Sequence, residues 1–136
     1  MESTKKFRLT EEVKIYNGVE LHRIEALKDF SDVKKGEKGG WVQFESNLSQ
    51  QGGCWIFDDA IIYGDAIITD EARVCNNAII EGNAHVYGNA FVCDNAIIGG
   101  NARIYGDAYV CLYAVVTGNA TVCDNAIATG VIFNNF

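Results

Sequence analysis

The chain has 136 residues, 49% of them apolar, with a net charge of −7, no proline and five cysteines. That length suits one domain that buries its own core without disulfides or a structural metal. The apolar residues come in ones and twos, too short to cross a bilayer as a helix. An odd cysteine count behind an opening (MESTKKFRLT) that lacks an apolar signal segment predicts reduced thiols and a cytoplasmic protein, in the host cytoplasm if a phage encodes it.

The charge is uneven. Residues 1–40 carry nine Lys/Arg against eight Asp/Glu, whereas residues 41–136 carry only Arg73 and Arg103 against ten acids. An acidic surface of that kind repels phosphate backbones, which argues against direct nucleic-acid binding by the second region.

In chain order, VKIYNGVELHRI (13–24) places Asn-Gly between two apolar runs, a hairpin signal. The DFSDVKKGEKGG stretch then reads as a charged connector, so residues 1–40 are expected to form an N-terminal β-hairpin cap. From residue 59 the sequence divides into twelve six-residue blocks, DAIIYG to NAIATG. Alanine holds the second place of every block, and Ile or Val the fourth place of eleven, with Ala128 the exception. Two inward positions separated by one outward residue make a short strand, and a helix of period 3.6 cannot keep a six-residue repeat on one face. Gly, Asn and Asp gather where the blocks meet, because they tolerate positive φ at a corner. Three such strands close a triangular coil of eighteen residues, and stacked coils make a parallel β-helix. Extended backward, the register runs through GCWIFD (53–58) and WVQFES (41–46), with NLSQQG (47–52) degenerate, so the β-helix is expected over 41–136. The final VIFNNF breaks the pattern and is expected to close the last coil or meet a neighbour.

The blocks resemble the hexapeptide repeat of left-handed β-helix proteins, a superfamily best known for trimeric acyltransferases and γ-class carbonic anhydrases. GGWVQFESNLSQQGGCWIFDDA followed by repeats of the type NARIYGDA resembles, more narrowly, small hexapeptide-repeat proteins of bacteria and phages. The resemblance implies a left-handed coil and a homotrimer with parallel axes. Glycine here falls two places after the aliphatic, where the enzymes often have it immediately after.

The outward residues decide function, because the inward ones specify only the scaffold. One side carries Trp55, Phe57, Cys75, Phe91, Cys93, Tyr109, Cys111 and Ile127, an apolar strip that predicts an oligomer interface. Its cysteine ladder cannot converge on one tetrahedral metal centre, so no metal is assigned. A second side is rich in isoleucine. The third brings His85, Tyr87, Arg103 and Tyr105 to adjacent coils, where flat rings, an imidazole and a guanidinium suit a small nucleotide.

Two histidines cannot supply the three ligands of a γ-class carbonic anhydrase, and no loop interrupts the blocks to build an acyl-donor site. The sequence therefore points to a non-enzymatic trimeric binding or scaffold protein that needs no cofactor. One alternative is a phage anti-defence protein that sequesters a nucleotide signal between chains or blocks a host protein through its acidic faces. The other is a small acyltransferase with His85 as base.

Overall fold

A computed structural model describes residues 5–133. The repeat folds as a β-solenoid of about five coils whose two-residue strands fall on three parallel sheets. Successive strands visit the sheets in turn, so each strand pairs with the one eighteen residues away. Ile79 pairs with Ile97, His85 with Arg103, and Phe91 with Tyr109. Backbone bonds run from coil to coil, as from Ile79 N–H to Ala96 O at 2.9 Å and from Glu81 N–H to Ile98 O at 2.8 Å.

The second- and fourth-place side chains fill the prism. Ala60 through Ala120 and Ile62 through Val122 are buried at every repeat, and each fully buried Ile or Val contributes about 1.5–3 kcal/mol gross. All twelve sixth places from Asp58 to Asp124 take positive φ. Six are Gly, five are Asp or Asn, and the twelfth is Leu112 at φ 57. At Asp58, Asp70, Asn76 and Asp94 the corner side chain also accepts the amide of the next coil's corner residue. Asp58 Oδ2 takes Asn76 N–H at 3.0 Å, Asn76 Oδ1 takes Asp94 N–H at 3.1 Å, and Asp94 Oδ2 takes Leu112 N–H at 2.9 Å. These residues thus supply both the backbone conformation and the acceptor.

The N-terminal strands β1 (Phe7–Tyr16) and β2 (Val19–Ala26) form the antiparallel hairpin, turning at Asn17 and Gly18, both at positive φ. Strand β3 (Lys38–Val42) pairs antiparallel with β2 and parallel with Ile61–Ile62, continuing the hairpin into the first solenoid sheet. The Trp41 ring has the Lys14 ammonium 4.7 Å and the Arg23 guanidinium 4.4 Å from its centroid. Gly40 is required by close approach, since a Cβ there would lie 2.5 Å from Ile56 Cγ2.

The first coil departs from the eighteen-residue register extended backward from the repeat. Trp41 and Val42 pair with Ile61 and Ile62, and Leu48 bridges Ile68, so these partners are twenty residues apart rather than eighteen. The block WVQFES is consequently out of step, and Phe44, at the fourth place of that block, is exposed. Two extra residues enter after Leu48, because Trp55 again meets Arg73 at eighteen. The first coil is fastened by the buried Asn47, in a 3₁₀ turn at Glu45–Asn47. Its Oδ1 accepts Gln43 N–H at 3.2 Å and Phe44 N–H at 2.7 Å, and its Nδ2 donates to Gly64 O at 3.1 Å and Ala66 O at 2.8 Å.

At the other end Val131 and Ile132 pair with Val115 and Val116, sixteen residues back. The last three residues of the VIFNNF segment lie outside the described residues. No helix among the described residues is long and apolar enough to cross a membrane.

Candidate functional site

Two faces carry the side chains that the scaffold does not consume. On the face that runs from Trp55 to Ile127, the cap changes what is available. Trp55 is wholly buried, edge-on to Phe7 at 6.3 Å and to Phe30 at 5.3 Å, so its assignment to an oligomer interface is corrected. The cap folds over the side of the first coil as well as its end, and an outward position there points into the cap. Phe57 is half-buried beneath the Arg73 guanidinium, 4.8 Å from its ring, and Arg73 is itself held by the cap residue Asp32 at 2.6 Å.

Below the cap the face opens. Phe91 and Tyr109 stack with ring centroids 5.2 Å apart and planes 16° from parallel. Ile127 continues the column in register and is 69% exposed. Cys93 and Cys111 lie in the same ladder but are buried by their own chain, so they offer a partner almost no surface. Cys93 Sγ approaches the Tyr109 hydroxyl oxygen at 3.5 Å. Cys75 is half-buried, and burial with the neighbouring Cys93 pushes its thiol up to about 12, leaving it protonated.

Sequence reasoning missed the corner beside this column. Leu112 and Tyr113 stand where other blocks place Gly, Asn or Asp followed by an acidic or amide residue, and both are exposed, Tyr113 at 76%. The signal was present in DAYVCL-YAVVTG as a departure from the corner pattern. Tyr109 and its strand partner Ile127 are exposed, and so are Leu112 and Tyr113 at the corner that follows Tyr109.

The third face brings His85, Tyr87, Arg103 and Tyr105 together as the spacing predicts. His85 and Tyr87 lie 4.2 Å apart, and Tyr87 stacks on Tyr105 at 4.9 Å with planes 14° from parallel. Arg103 is exposed and is the strand partner of His85. The tyrosines occupy each other's faces, which leaves no slot between them for a base. Burial and the Arg103 charge lower the His85 pKa, against a smaller opposing effect of Asp70. His85 Nε2 is hydrogen-bonded to the Thr69 hydroxyl at 3.0 Å. Thr69 and Ile67 in turn line an open depression of about 480 Å³, rimmed by Glu45, Ser46, Ser49 and Gln50 of the irregular first coil.

Residues 72–88 match a family model described as the YdcK β-solenoid repeat. Over 79 residues, 52% of this chain, the sequence is 39% identical to an Escherichia coli (strain K12) protein named "Uncharacterized acetyltransferase YdcK". That match covers 24% of the relative, so the chain spans about a quarter of its length. By its six-residue repeat and by its fold, the chain is a β-solenoid protein.

Proposed function

We propose that the chain is a non-enzymatic scaffold that assembles as a homotrimer through the face of Phe91, Tyr109 and Ile127, and presents its third face to a binding partner. The observation that carries this reading is the exposure of four large side chains, Tyr109, Leu112, Tyr113 and Ile127, on the last two coils. Large aromatic and aliphatic side chains clustered on a rigid surface are the composition of an interface core. The presence of Leu112 in a backbone conformation that disfavours its side chain, at a corner where Gly, Asn or Asp serves elsewhere, supports a role for that side chain. Three is the number that the hexapeptide-repeat resemblance implies. Sedimentation velocity on wild type and Phe91→Glu tests the reading: the variant dissociates, whereas an unchanged sedimentation coefficient for both contradicts assembly through this face.

Acyl transfer is the second reading, favoured by one contact. A histidine with a lowered pKa, bonded to a hydroxyl beside an open depression, has the properties of a general base, and the E. coli relative bears an acetyltransferase name. Turnover of acetyl-CoA by wild type that disappears in His85→Ala supports this reading; equal background rates in both oppose it.

A further inference from the structure

Lys6 is the most deeply buried charged side chain of the cap, 1% exposed, and it reaches across to the irregular loop of the first coil. Its Nζ donates to Cys54 O at 2.8 Å, Gly52 O at 3.1 Å and Gln51 O at 3.4 Å, and lies 4.9 Å from the Phe30 ring centroid. It also lies 3.4 Å from Cys54 Sγ. Cys54 is wholly buried. Its other close neighbours are the carbonyl oxygens of Ser49, Gln51 and Ile68, each at 3.7 Å, and none of these is a nucleophile. The cysteine therefore faces a primary amine and no second thiol.

We propose that Lys6 and Cys54 are a peroxide-responsive cross-linking pair that fastens the N-terminal cap to the first coil. Hydrogen peroxide oxidises the Cys54 thiol to the sulfenic acid and is reduced to water. The Lys6 amine then attacks the sulfenic sulfur, an N–S bond forms, the S–OH bond breaks, and the hydroxyl leaves as water with a proton from the amine. One thiol, one amine and one peroxide thus give one sulfenamide and two waters. A thiol reductant reverses the link by attacking sulfur and returning both side chains. Burial lowers the Lys6 ammonium, which favours the free amine that the second step needs, and raises the Cys54 thiol, which slows the first step and makes it faster at alkaline pH. Gln51 and Gly52, which adjoin the pair, are exposed, so solvent lies next to it.

Wild-type protein treated with hydrogen peroxide, cut at acidic residues and mapped by mass spectrometry tests the proposal. The expected product joins the peptides containing Lys6 and Cys54 with two hydrogens fewer than their sum, and dithiothreitol separates them. In Lys6→Arg and Cys54→Ser the joined peptide is absent. Because the mapping is made on wild type, it stands even if a variant folds poorly. Cys54 recovered unlinked, as free thiol or as sulfinic or sulfonic acid, overturns the proposal, and so does a link that retains an added oxygen.

Discussion

The backbone amide of Leu112 donates to the carboxylate of Asp94, one coil away, at 2.9 Å, while Leu112 itself holds φ at 57. The first contact shows how a corner of this solenoid is satisfied, and the second shows a side chain kept where it is disfavoured. Left-handed backbone costs a non-glycine residue roughly 1–2 kcal/mol. Leu112→Asn is therefore expected to raise the stability of the isolated chain by about 1 kcal/mol in urea unfolding. The same substitution should weaken self-association, and strengthened association would remove the functional reading of this corner.

Gly100 supplies the opposite case. It lies at φ 60, and a Cβ there would come 2.7 Å from Gly118 N and 2.8 Å from Gly118 O, both backbone atoms that cannot swing aside. Gly100→Ala is expected to lower the thermal midpoint, through conformational strain and the displaced neighbouring coil together. A midpoint equal to wild type would show that the corners slide apart more freely than their close stacking implies.

The core positions differ in what they tolerate. Ile98→Ala leaves a cavity between coils and should cost about 2–5 kcal/mol, whereas Ala90→Leu overfills a place occupied by alanine in every block and should cost about 1–3 kcal/mol. Asn47→Ala removes four hydrogen bonds and leaves several backbone groups of the first coil unpaired. A loss of about 1–3 kcal/mol or more is expected, readable in denaturant midpoints.

The pH dependence follows from His85. Its folded pKa lies below the ordinary 6.5, so the unfolded chain binds its proton first as pH falls. His85 therefore leaves stability unchanged above 6.5 and lowers it progressively below that, until the folded-state pKa is passed. Arg103→Ala removes the second cause of the shift, and the His85 titration followed by NMR should move upward. A downward movement would contradict the assigned electrostatics.

The repeat was legible because its physics is local. Alanine and aliphatic at fixed places, with corner residues between, are enough to specify the coil, and the meeting of His85, Tyr87, Arg103 and Tyr105 follows from the eighteen-residue spacing alone. The first coil was not legible for the same reason. Its loop after Leu48 carries two extra residues, and its fixing contacts come from Asn47, Lys6 and the cap, which period counting does not see. Trp55 fits the outward pattern of its block, yet Phe7 and Phe30 arrive from elsewhere in the chain to bury it. Leu112 and Tyr113 were visible only as departures from the pattern, the kind of signal that an exposed site leaves in a repetitive scaffold.

In the proposed assembly, further copies of the chain cover the column from Phe91 to Ile127 in solution. Light scattering coupled to size exclusion, on wild type at micromolar concentration, measures this directly. The proposed trimer weighs three times the 14.9 kDa chain mass, and a mass of one chain across the concentration range would contradict that assembly.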